Sequence, residues 1–373
     1  MILAFLLACP AASDSGDTAE FTCDEASGTI CTFAGKDGLA ALGQDEIAAT
    51  ESYLYLPQDL LLADDGTAYL LDWNNHRVRC VDPDGTITTI AGNGLLGDGP
   101  EGEARTAMFN HPTGLSWDND GTILLAAWHN SRVERIDLAT STMTYVAGDG
   151  TRSYAGDEGD ALVAKLDLPS SAVVDADGVM YISDTANQRI RTVTPDGIIH
   201  AYAGTGDAAY AGDGGDVSLA AFYNPKGQAA APAGRLEISP DQKLYVADTL
   251  NQRIRVIDLA TDTISTFAGN GSPGFSGDGG PATSATVFSP TDIALGIDGE
   301  LYIADTENSC VRVVDPDGTM RTFAGICTEP DYTGDGGPAT EARLNKPYGV
   351  AVDSVGNVYI ADTYNHAIRV VYR

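Results

Sequence analysis

The stretch "NKPYGVAVDSVGNVYIADTYNHAIRVV", residues 345–371, decides the fold. It holds three short apolar runs, "GVAVD", "VYIAD" and "IRVV". They are rich in β-branched and aromatic residues and alternate with period two, the pattern of strands with one buried face. "DSVGN" and "TYNHA" lie between them and supply the Asp, Asn and Gly that turns use. One unit upstream, the turn "DPDG" leads into a fourth run, "GTMRTFAG" (residues 318–325), with Pro suited to the second turn position. Four antiparallel strands per unit result, named a to d in chain order.

The unit recurs. "DTYNHA" (362–367) has near-copies in "DWNNHR" (72–77), "AWHNSR" (127–132), "DTANQR" (184–189), "DTLNQR" (248–253) and "DTENSC" (305–310). Counted from Asp72, the spacings are 55, 57, 64, 57 and 57 residues. A Pro (Pro57, Pro112, Pro169, Pro232, Pro290, Pro347) precedes strand a in each unit. A four-stranded sheet repeated radially is a propeller blade, so the expected fold is all-β: a six-bladed β-propeller of four-stranded antiparallel blades. The last unit stops at its third strand, and "GTICTFAG" (28–35) matches "GTMRTFAG". The N-terminal strand is therefore expected to complete the last blade and leave no open sheet edge at the seam.

On these residues the chain resembles the NHL β-propellers, with the propeller over residues 28–373. The connector "AGNGSPGFSGDGGPATSATVFSP" (268–290) resembles those of bacterial NHL proteins and of the teneurin propeller. The family spans protein-binding modules, sensor ectodomains and a zinc lyase, so the resemblance implies a fold and leaves function open.

The N-terminus, "MILAFLLAC", resembles a bacterial lipoprotein signal over residues 1–9, with Cys9 as the lipidated residue and residues 10–27 as a flexible tether. No basic residue precedes the apolar run, and an ordinary export signal is the other reading. Either places the protein in or outside the bacterial envelope, touching membrane only through a lipid anchor. Asp and Glu number 53 against 21 Lys and Arg, a net charge of -32. Nucleic acid needs a basic footprint and is excluded as a partner. Export permits disulfides. Cys310, on strand c, and Cys327, just past the end of the neighbouring strand d, are the expected pair; Cys23 and Cys31 are a second candidate, which leaves Cys80 as a free buried thiol.

Repeated residues read as structure. The Asp and Asn of each "DxxN" fix the b–c turn, and Arg77, Arg132, Arg189 and Arg253 are candidates to pair with the Asp. The connector aspartates Asp98, Asp157, Asp213, Asp278 and Asp335 invite a calcium reading, but they are spread one per blade, whereas calcium needs six to eight oxygens at one point.

Departures from the repeat carry the functional candidates. On strand a, where the channel is narrow, Asp59, Arg235, Glu237 and Asp292 stand where small residues are expected. They are either a closed ion-pair plug or a site for a polar ligand or cation. Blade 4 has an insertion, "PKGQAAA", before strand a. Trp73 and Trp128 replace Thr in adjacent blades, with His76 and His129 close by; each Trp is either a packing cap or a flat face for sugar or peptide. His76 and His366 share one repeat slot. There is no HExxH or GxSxG motif and no Cys/His cluster. The expected function is an exported, monomeric binding module for a protein, peptide or glycan, without a resident cofactor. The alternative is a metal-dependent hydrolase or lyase with a divalent cation in the channel.

Overall fold

The computed structural model describes residue 23, residues 25–227 and residues 229–373. The expected signal, Cys9 and most of the tether lie outside the described residues. Six sheets are arranged as blades, each a radial stack of antiparallel strands. In the first blade strands a to d are Asp59–Leu62, Ala68–Asp72, Arg77–Val81 and Thr86–Ala91. Strand c meets strand b residue for residue, with Ala68 opposite Val81 and Asp72 opposite Arg77. Alternation places Leu70 on one face and Tyr69 and Leu71 on the other; both faces are buried because each blade is sandwiched by its neighbours. The core is accordingly six apolar clusters, one at each blade interface.

The seam closes as expected. Thr29–Ala34 pairs with Ala367–Val371, Ile30 opposite Val371 and Cys31 opposite Val370, and takes the strand-d place of the last blade. The blades differ from expectation in having five strands. A two-residue strand from each connector, such as Ile47–Ala48 or Gly337–Pro338, pairs with the outer edge of strand d. A 3-10 turn follows it, as at Ala339–Glu341.

The b–c turns are 3-10 turns closed by a residue with positive φ, His76 at 52° and Gln188 at 57° for example. The repeated Asp and Asn hold them. Asp362 accepts from the Asn345 backbone N–H at 2.7 Å and from Asn365 Nδ2 at 2.8 Å. The Arg that pairs with this Asp is two residues beyond the one proposed from sequence. Arg79, Arg191, Arg255, Arg312 and Arg369 are fully buried, and each spans from its own blade's Asp to a connector Asp. Arg255, for instance, lies 3.2 Å from Asp248 and 2.6 Å from Asp213. The connector aspartates thus hold guanidinium groups, which answers the calcium reading. A buried charge requires such pairing.

Cys310–Cys327 and Cys23–Cys31 are disulfides, with Cα atoms 5.0 and 6.2 Å apart. Cys80 is not the free thiol expected: among the described residues no cysteine is free.

Candidate functional site

Strand a lines the central channel, and its first position forms a ring: Asp59, Gly114, Ser171, Arg235, Asp292 and Gly349. The ring alternates. Asp59, Ser171 and Asp292, in blades 1, 3 and 5, each accept a backbone N–H from strand a of the next blade: Leu115 at 2.6 Å, Leu236 at 3.3 Å and Val350 at 2.9 Å. The even blades carry Gly114, Arg235 and Gly349. A Cβ on Gly114 would lie 2.5 Å from Arg235 Nη1, so this glycine makes room for the guanidinium. Arg235 Nη2 is 2.6 Å from Asp59 Oδ1, and Nε is 3.7 Å from Asp292 Oδ1. Asp59, Arg235 and Asp292 are all buried. Three of the four channel candidates are therefore one ion cluster, and its two aspartates also stitch blades together.

Below this roof is a cavity of about 380 Å³. Its lining begins at the ring and continues to the last residues of strand a, Leu62, Trp117, Val174, Ile238, Leu295 and Val352. The cavity therefore extends toward the a–b turn face, away from the b–c turns. Most lining residues are apolar, Leu61, Val173, Ala294 and Ala351 in the second layer among them, but polar atoms supply the larger part of the exposed wall. Glu237 stands in that layer, one step below the ion cluster. Burial, then the charge of Asp292, pushes its carboxyl up to about 8. Burial likewise lifts Asp292 to about 7, Arg235 opposing and Asp59 adding to the rise. At neutral pH Glu237 is thus mostly protonated; it accepts a backbone hydrogen bond from Leu295 and is able to donate one as well. Among the described residues no group of three or more His, Cys, Asp or Glu side chains could hold a metal ion.

The other candidates meet elsewhere, on the opposite face between blades 1 and 2. Trp73 lies over His111 with ring centroids 4.5 Å apart, and Trp128 stacks on His129 at 4.5 Å and 10°. His111, which sequence reasoning passed over, is the hub: it also contacts His76 at 4.6 Å and His129 at 5.3 Å. Trp128 is 1% exposed, and the indole N–H groups of Trp73 and Trp128 are buried without a hydrogen-bond partner. The substitutions have a cost that can be seen in the other blades. Where Thr is kept, as in Thr249, Thr306 and Thr363, its hydroxyl donates at 2.7 Å to the carbonyl of the next blade's Pro290, Pro347 or Pro57. Blades 1 and 2 exchange that bond for aromatic packing. Burial lowers all three histidines, His111 to about 4 with His76 and His129 adding to the effect. His200 is apart, beside Glu158 at 3.0 Å.

Blade 2 departs once more. Ala127 replaces the frame Asp, and Glu134 replaces the buried Arg. Glu134 is 2% exposed, with Oε2 lacking a hydrogen-bond partner. Arg132 turns instead to Asp98 and lies over Tyr145, 4.3 Å from the ring centroid. The signal was in the sequence: both members of one ion pair, seven residues apart, are missing from the same unit. The blade-4 insertion also shifts. Asn224, before Pro225, fills the place of the residue before the repeated Pro, so the extra residues follow Pro225 and Pro232 is not the repeat Pro.

The NHL repeat family matches residues 289–314 and 344–371. Over 361 residues the chain is 28% identical to Teneurin-m of Drosophila melanogaster, covering 87% of this chain and 12% of that protein. It is 26% identical over 340 residues to human NHL repeat-containing protein 2, covering 82% of this chain and 45% of the relative. The chain thus spans less than half the length of either relative. Among solved structures, an auxiliary nutrient binding protein from Bacteroides thetaiotaomicron superposes with a TM-score of 0.65 at 15% identity, over 91% of this chain and 75% of that one. With the six repeats, the closed ring and the blade frame in place, the chain is a six-bladed β-propeller that carries NHL repeats at residues 289–314 and 344–371.

Proposed function

We propose that this propeller is an extracytoplasmic binding module that takes a small polar ligand into the cavity beneath the Asp59–Arg235–Asp292 roof. One observation carries the reading. The cavity is lined mainly by apolar residues, yet polar atoms supply the larger part of its exposed surface, which suits a small polar ligand. The roof aspartates already serve Arg235 and the neighbouring backbones, so Glu237 is the group that meets a ligand. A neutral Glu237 can both donate and accept, which favours a polar uncharged group on the ligand, with an apolar body against Leu61 and Val173. The nutrient-binding neighbour supports a binding role for this architecture. Two disulfides support a location outside the reducing cytoplasm. Anchoring through Cys9 completes the proposal; Cys9→Ser should move the protein from the membrane fraction to the soluble one.

The test is a thermal-shift screen of metabolites, short glycans and peptides, followed by titration of the hits. Glu237→Val installs the residue blade 3 carries at this position, Val173. It should weaken binding at least about tenfold while leaving the fold intact. A hit that binds the variant equally well refutes the site. The hydrolase or lyase alternative gains if the purified protein carries stoichiometric zinc or calcium through dialysis.

A further inference from the structure

Neighbouring blades are clasped at a repeated point. The residue that closes a b–c turn accepts, through its side chain, the backbone N–H of the residue preceding strand a's Pro in the next blade. Gln188 Oε1 accepts from Asn224 at 2.7 Å, Gln252 Oε1 from Ser289 at 2.6 Å and Ser309 Oγ from Lys346 at 3.2 Å. Two blades use imidazole instead. His366 Nδ1 accepts from Leu56 at 3.1 Å, and His76 Nδ1 accepts from His111 at 3.5 Å. The two clasps lie on either side of one blade: His366 reaches from blade 6 to blade 1, and His76 from blade 1 to blade 2. In blade 2, Ser131 Oγ is buried without a partner and makes no such clasp.

We infer that blade 1 is an acid-released element of the ring, because the clasps on both its sides are made by imidazole nitrogens, whereas blades 3, 4 and 5 use amide or hydroxyl oxygens. An Nδ1 that accepts a hydrogen bond carries a lone pair. Protonation removes the acceptor and places an N–H against the backbone N–H it had held. The surroundings add to the effect on the His76 side. Its ring meets His111, which meets His129; His129 in turn senses Arg152. A positive charge on one imidazole therefore opposes charge on the others. His366 faces the Tyr55 ring at 5.6 Å. Among the described groups, no carboxylate is paired with any of these four histidines, so nothing there stabilises the charged form. The frame carboxylates, Asp72 and its copies, occur in five of the six blades and do not distinguish blade 1.

The direction in pH follows from linkage. Burial lowers His76 and His366 below the ordinary 6.5. The unfolded chain then binds protons that the folded blade refuses. The clasps contribute fully above about pH 6.5 and are lost as pH falls through the lower folded values.

Hydrogen exchange on the full chain at about pH 7.5 and pH 5, corrected for intrinsic rates, tests this. Peptides from residues 47–91 should lose at least about tenfold more protection on acidification than peptides from blades 3 to 5. In the double variant His76→Gln/His366→Gln, which copies blades 3 and 4, that excess loss should vanish. Parallel loss in all blades, or an unchanged profile in the double variant, overturns the inference. Limited proteolysis of the wild type at both pH values gives an independent reading. New acid-dependent cleavage is expected within residues 36–56 and 92–111, and cleavage confined to other connectors overturns it.

Discussion

Glu134→Gln should make the protein more stable, by an amount set by pH. Five blades bury an Arg at this position, and blade 2 buries a carboxyl. Burial first, and then Asp98, pushes Glu134 from 4.5 up to about 8, with Arg132 opposing. The folded state therefore holds a proton that the unfolded chain has released by neutral pH. Its contribution to stability falls as pH rises from about 4.5 through about 8. At pH 7 the gap is roughly 2.5 pH units at about 1.4 kcal/mol each, so Gln should gain about 3 kcal/mol. Gln keeps the shape and the donor of the neutral acid and never ionises. With an unfolding entropy of roughly 0.7 kcal/mol/K for a propeller of this length, the melting temperature should rise by about 4 °C at pH 7. At pH 5 the two proteins should melt within about 1 °C of each other, and at pH 9 the gap should be at its widest. Thermal melts followed by circular dichroism at the three pH values suffice. A gap of constant size across pH, or a less stable variant at pH 9, refutes the account of Glu134 as a buried neutral acid.

Removing residues 28–35 takes away strand d of the last blade, including Ile30 and Ala34, both fully buried. The melting temperature should fall sharply, and an unchanged melt refutes the seam. Trp128→Ala should cost about 3–5 kcal/mol in urea unfolding, since it empties a fully buried indole site. Trp73→Thr should stay within about 1 kcal/mol of the wild type, because the hydroxyl regains the bond to the next blade's Pro carbonyl. Cys310→Ala/Cys327→Ala opens a loop of 17 residues and should cost about 3 kcal/mol in the same assay.

Much of the architecture was legible because propeller blades repeat. Six aligned copies expose the strand pattern, and the match of "GTICTFAG" to "GTMRTFAG" locates the seam before any contact is known. The fifth strand was not legible: two residues such as Ile47–Ala48 are too few to show a period. The choice of arginine was hidden for a related reason. Arg77 and Arg79 stand two apart on one strand and share a face, so spacing does not tell which one turns inward to Asp72. The channel candidates were found by their departure from small residues, and the structure joins Asp59, Arg235 and Asp292 as the ion cluster that one reading expected. It also separates Glu237 from that cluster by one layer, which no alignment of repeats reveals. His111 was missed because it lies in a connector and its contacts with Trp73 and His76 are made across blades.

The outer rim has a consequence of its own. On strand d of every blade the first residues pair with the connector's two-residue strand, and further along, in blades 2, 4 and 5, a carboxylate takes a backbone donor. Asp278 Oδ2 accepts from Thr322 N–H at 3.1 Å, Asp213 Oδ2 from Thr266 at 3.1 Å, and Glu101 Oε1 from Tyr145 at 2.9 Å. An incoming peptide that sought to extend a blade by one more strand would find these main-chain hydrogen-bonding groups occupied and acidic side chains standing over them. In these three blades the rim is thus insulated against β-augmentation and edge-to-edge polymerisation.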